Sequence, residues 1–62
     1  MEANPNKSFP RLLRRWRRAH NLTRADAARR LDIPYRTLED WEAGRHAPRG
    51  LAMRLIKSRV SR

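Results

Sequence analysis

The sequence predicts an all-α chain, and three features carry that expectation. Apolar residues recur at three- and four-residue spacing, and no stretch alternates as a strand would. Helix stops fall at short intervals, at Asn21, at Asp32 to Pro34 and at Gly44. Sixty-two residues without a cysteine allow one domain at most, with one thin core and no disulfide to staple it.

Residues 1–8 are expected to form a flexible arm, polar and with Lys7 as its only cation. The folded domain is assigned to 9–58. Ser8 is expected to cap the first helix, with Pro10 tolerated in its first turn. Steps of 100° place Phe9, Leu13, Trp16 and His20 on one stripe, flanked by Leu12 and Ala19, while Arg11, Arg14, Arg15 and Arg18 gather opposite. Arg17 falls about 40° from Leu13, on the apolar side. An unpaired charge there is costly, so Arg17 requires an acidic partner from elsewhere in the fold.

Asn21 suits the left-handed conformation that closes a helix. Thr23 and Asp26 resemble a capping box, and Leu22 can staple onto Ala27. The second helix has a short stripe of Ala27, Ala28 and Leu31, whose two alanines permit close approach of another helix. Pro34 pushes Ile33 out of helical geometry and suits the start of a third helix. On that helix Pro34, Thr37, Leu38 and Trp41 share one side, and Tyr35, Arg36, Glu39, Asp40 and Ala43 the other. Glu42 lies at the border beside Leu38, which makes it the natural partner for Arg17. After Gly44, residues 45–50 form a basic turn. A last helix is expected over 51–58, with Leu51, Leu55 and Ile56 apolar and Ala52 and Met53 nearby. Residues 59–62 are a basic tail.

Sixteen basic against six acidic residues give a formal charge of +10, and fourteen of the sixteen are arginine. Such a charge opposes compaction, and a polyanion relieves it. Arginine's planar fork matches phosphates and guanine edges. No apolar run approaches the ~18 residues needed to span a bilayer, and no signal-peptide pattern appears. An intracellular, cytoplasmic location is therefore expected. His20 and His46 stand far apart with no cysteine to join them, so no metal site is expected. Glu39, Asp40 and Glu42 lack the pocket that would tune them for catalysis. Neither an enzyme activity nor a cofactor is expected.

Two ordered runs, L-T-x-x-D-A-A-x-x-L-x-I over 22–33 and R-T-L-x-x-W-E-x-G-R-x-x-P over 36–48, carry a family resemblance. The chain resembles the lambda-repressor-like (Cro/cI, XRE) helix-turn-helix family from about Leu13 to Pro48, more loosely into the last helix. The resemblance implies a compact DNA-binding domain with its helix-turn-helix over 23–44, four helices here against five in the fuller family form. It also implies an arginine–glutamate pair at Arg17 and Glu42, the pair the helix wheel demands independently. Two departures stand out. Asp32 replaces the usual glycine of the turn, and Arg24 replaces the usual glutamine opening the second helix.

In this motif the second helix of the pair lies in the major groove. The expected base readers are Tyr35, Arg36, Thr37, Glu39 and Asp40, with Arg36 foremost because a guanidinium matches guanine O6 and N7 together. Asp40 or Glu39 could instead buttress Arg36. Expected phosphate contacts are Arg24, Arg45 and Arg49, with Arg14 and Arg18 behind them. The leading expectation is a homodimeric repressor on an inverted repeat of double-stranded DNA, of the kind found in phages, mobile elements and toxin–antitoxin operons. A chain this small leaves no room for an effector domain, so it would act by occupying a promoter, its own included. The dimer is assigned to 51–58, whose apolar residues exceed what a four-helix core needs. Two other classes stay open: an antitoxin or adaptor with a cognate protein partner, and an arginine-rich peptide binding RNA or anionic membrane.

Overall fold

The computed structural model describes residues 5–61, with side chains described from Ser8 onward. Among these the helices are α1 (Pro5–Ala19), α2 (Arg24–Leu31), α3 (Tyr35–Ala43) and α4 (Gly50–Val60), and no strand occurs. Of the expected arm, residues 1–4 lie outside the described residues. The helix is already formed at Pro5, because proline at a first helical position loses nothing by lacking an N–H. Ser8 therefore sits inside α1 and is not its cap. Pro10 lies beyond the first turn, with its ring buried facing Gly44.

Three helix ends close in the same way. Asn21 (φ 55°), Asp32 (φ 58°) and Gly44 (φ 80°) each turn left-handed. The following amide then reaches back five residues: Leu22 N–H to Arg17 O at 2.9 Å, Ile33 N–H to Ala28 O at 3.0 Å, and Arg45 N–H to Asp40 O at 2.9 Å. This closure satisfies carbonyls that a helix end otherwise leaves orphaned. Asp32 thus adopts the conformation for which a glycine is usual, at a residue type that tolerates it better than most. The closure at Asn21 also leaves His20 outside α1, exposed, with its ring tilted against Trp16 at 5.8 Å. The apolar stripe of α1 ends at Trp16, not at His20 as the wheel suggested.

At the start of α2 the Thr23 hydroxyl accepts from the Asp26 amide at 3.0 Å. Hydrogen bonds from the Thr23 hydroxyl and amide, with Arg29 adding its charge, hold the Asp26 carboxyl below the usual carboxylate range. The core between the helices is formed by Phe9, Leu13 and Trp16 of α1, Ala27, Ala28 and Leu31 of α2, Leu38 and Trp41 of α3, and Val60 of α4. Phe9 meets Trp41 edge to face at 5.7 Å. Fully burying Phe9, Leu13 and Leu38 contributes roughly 1.5–3 kcal/mol each.

The last helix differs most from the expectation. It runs past Ser58 to Val60, taking Arg59 and Val60 out of the basic tail. It joins the core through Met53, Ile56 and Val60, which are three and four residues apart and so share a face. Leu51 and Leu55 lie on the other side, 68% and 61% exposed. Arg59 Nη1 donates to Arg30 O at 3.4 Å, tying α4 to the end of α2.

Candidate nucleic-acid interface

The outward face of α3 follows from its buried one. Leu38, Trp41 and Glu42 point into the molecule, so Tyr35, Arg36 and Glu39 point away. Tyr35 is 46% exposed and the Arg36 side chain 81%, while Thr37, Glu39 and Asp40 are half-buried. Pro34, in extended conformation, brings α2 and α3 together as a tight pair with Ala27 and Ala28 between them.

Asp40 is held by the turn that follows its own helix. Arg45 donates to its Oδ1 from Nε at 2.9 Å and from Nη2 at 2.8 Å, and His46 Nδ1 lies 3.3 Å from Oδ2. Arg36 Nε stands 3.8 Å from Oδ1. Arg45 foremost, with His46 and Arg36 adding, holds this carboxyl below the usual carboxylate range despite its partial burial. Both carboxylate oxygens are engaged, an arrangement that suits the buttressing role more than acceptance from a cytosine amine.

Glu42 is the other hub. Its side chain is 3% exposed, and its carboxylate accepts from Arg17 Nε at 2.7 Å and Arg17 Nη2 at 3.2 Å. Arg24 Nε adds a bond to Oε1 at 3.1 Å. The Glu42 backbone carbonyl, near the end of α3, accepts from Arg14 Nη1 at 2.6 Å. No buried side-chain polar atom lacks a partner among the described residues. The hydrogen bond to Glu42, with Tyr35 adding, raises the pKa of Arg24. The helix wheel placed Arg17 against Glu42 but contained no signal for Arg24 or Arg14. Both reach across from other helices, which no single-helix projection can register.

Around this hub lies a cleft of about 240 Å³, lined by Arg14, Arg24 and Arg45 with Glu39, Glu42 and Ala43. Three guanidiniums against two carboxylates leave it net positive. Arg45 and Arg49 are exposed beyond the end of α3. Arg18 is exposed on α1 and does not line this cleft, and Arg14 spends one of its donors on Glu42. Among the described residues no group of three or more histidine, cysteine or acidic side chains could hold a metal, and no helix is long and apolar enough to cross a membrane.

A close helix pair, the second member turned outward with an exposed arginine and rimmed by further arginines, defines a DNA-binding helix-turn-helix domain. A helix-turn-helix domain family model matches residues 9–57, and the chain belongs to that family, in keeping with the lambda-repressor-like group whose motifs it carries. Comparison with curated proteins and with solved structures found no match.

Proposed function

We propose that the protein is a sequence-specific transcriptional regulator that binds double-stranded DNA through α3 and represses by occupying a promoter. The observation that carries this is the exposed Arg36 on the outward face of α3, beside a rim formed by Arg24 and Arg45. Arg36 reads guanine, with Tyr35, Thr37 and Glu39 beside it, and Asp40 orients Arg36 and Arg45. Arg24, Arg45 and Arg49 take phosphates at the groove edges, and Arg14 contributes from the rim of the cleft. The protein acts as a homodimer on an inverted repeat, with half-sites about one helical turn apart. Leu51 and Leu55, on the face of α4 turned away from the core, support that contact. The genetic setting consistent with this reading is a phage, a mobile element or a toxin–antitoxin operon, with the protein acting on its own promoter.

The test is affinity for the DNA upstream of the coding sequence against scrambled duplex at physiological salt. A specific regulator prefers the former by ~10³ or more, and a smaller ratio rejects the proposal. Leu51→Glu with Leu55→Glu should leave half-site binding intact and abolish the dimer in sedimentation. A different protein bound to α4 in the native extract would instead favour the antitoxin reading.

A further inference from the structure

Three cations of α1 stand apart from the acids. All the acidic residues in the described part of the chain lie between 26 and 42, on α2, α3 and the turn between them. Asp26, Asp40 and Glu42 are already engaged there by Arg29, Arg45 and Arg17. Arg11, Arg15 and Arg18, all exposed on the outer face of α1, have no carboxylate partner among the described residues. Their spacings of three and four set like charges side by side on one helix surface, an arrangement that destabilises a helix in isolation. A solvated face kept for solubility does not need such crowding, and lysine would serve it as well. The three are arginines, whose forks suit phosphate oxygens.

This face is continuous with the cleft beside α3. Arg14 lines that cleft and also lines a shallow groove of about 510 Å³ on the outer side of α1, together with Arg11, Arg15, Arg18 and Ala19. From Arg11 to Arg18 the helix rises about 10 Å, a length over which duplex DNA presents about six phosphate charges. No large apolar or aromatic side chain lines this groove, so a lipid surface finds nothing there to bury.

We propose that the outer face of α1 is a second phosphate-binding surface, in which Arg11, Arg15 and Arg18 grip nucleic-acid backbone outside the half-site read by α3. The proposal rests on the DNA-binding reading but not on sequence recognition by α3. The backbone belongs either to DNA flanking the half-site or to a second duplex, and the two are separated by experiment.

The test compares the full chain with the triple variant Arg11→Gln, Arg15→Gln, Arg18→Gln, whose exposed positions leave the core untouched and whose folding is checked by circular dichroism. Affinity is measured between 50 and 200 mM salt on a duplex just covering the site and on one extended by flanking DNA. A third arm measures capture of a labelled duplex by a bead-bound one. Each phosphate contact contributes ~0.9 to the salt slope, so three contacts amount to a further loss of about 40-fold over this fourfold salt range. The wild type should show this extra loss on extended DNA, or bridge two duplexes. The variant should show neither, while keeping the same preference for its site. Equal salt slopes for wild type and variant on extended DNA, with equal bridging, overturn the proposal. So does a variant altered only in binding to vesicles of anionic lipid. A wild type that lacks site preference yet shows the extra slope refutes the reading of α3 and leaves the α1 surface standing.

Discussion

Replacing Glu42 with alanine should be among the most damaging single changes to this fold. The side chain is almost wholly enclosed, and it neutralises Arg17, which is itself only 16% exposed. Without it the Arg17 guanidinium keeps one bond, from Nη1 to Leu22 O at 3.3 Å. Removing one partner of a buried pair costs about 3–5 kcal/mol. The retained bond and the residual exposure of Arg17 place this site at the lower end, about 3 kcal/mol. Arg24 adds little, since its side chain is 48% exposed and water replaces the lost contact. In a domain of this size a loss of 1 kcal/mol lowers the melting temperature by about 4–8 °C, so the expected shift is roughly 12–24 °C. Helical ellipticity on heating and in urea would measure it. Pairing Glu42→Leu with Arg17→Met should recover much of the loss, because two apolar groups leave no charge stranded. A Glu42→Ala variant melting within about 3 °C of the wild type, a change below ~1 kcal/mol, refutes the reasoning.

Further outcomes follow from the same contacts. Arg36→Ala should cost about 1–3 kcal/mol on the preferred DNA and relax the preference at one base position, whereas Arg24→Ala should weaken all sequences alike; competition binding against single-base variants of the site distinguishes them. Asp26 and Asp40 have carboxyl pKa values depressed by folding, so their contribution is complete above the unfolded value of about 3.9 and is lost as pH falls through the lower folded values. Denaturation midpoints should therefore hold from neutrality to about pH 5 and drop below about pH 4, with a shallower drop in Asp26→Asn and Asp40→Asn. Gly44→Ala places a Cβ 3.8 Å from Pro10 Cγ, an ordinary contact, so its cost of about 1 kcal/mol comes from the left-handed backbone alone; calorimetry should show a fall of about 4–8 °C.

The features legible in the sequence are those settled by chemistry within a few residues. Asn21, Asp32 and Gly44 mark helix ends because few residue types accept left-handed geometry, and Thr23 marks a start because its hydroxyl meets the Asp26 amide. The helix-turn-helix fold follows from that punctuation together with the apolar stripes. A charge on the apolar side of a wheel, such as Arg17, announces that something distant must answer it. The features hidden from the sequence depend on how elements approach one another. Leu51, Leu55 and Ile56 stood out as the apolar residues of the last helix, more than a four-helix core needs, but nothing in their spacing says that Met53, Ile56 and Val60 face inward and the two leucines outward. The direction from which α4 meets α1 decides between them, and extending the stripe to Val60 was the one local clue. The hold of Arg45 and His46 on Asp40 depends on the path of the turn after Gly44, and the reach of Arg24 to Glu42 on the crossing of two helices. At the amino end, Ser8 and Pro10 read as a helix start, but α1 already begins at Pro5, inside the stretch expected to be an arm.

The sharing of one carboxylate by Arg17 and Arg24 constrains how this protein can evolve. Under the proposed interface, Arg24 is a means of tuning grip on the DNA backbone without altering which bases are chosen. Yet that arginine is also a counter-ion of the residue that neutralises Arg17 at the edge of the core. Variation at position 24 thus touches Glu42 as well as DNA, with a small effect on folding because Arg24 is half exposed, whereas variation at Arg36 or Arg45 leaves Glu42 untouched. Lineages that retarget such a protein would vary α3, while those that adjust its grip at the mouth of α2 carry a small change in the Glu42 hub along with it.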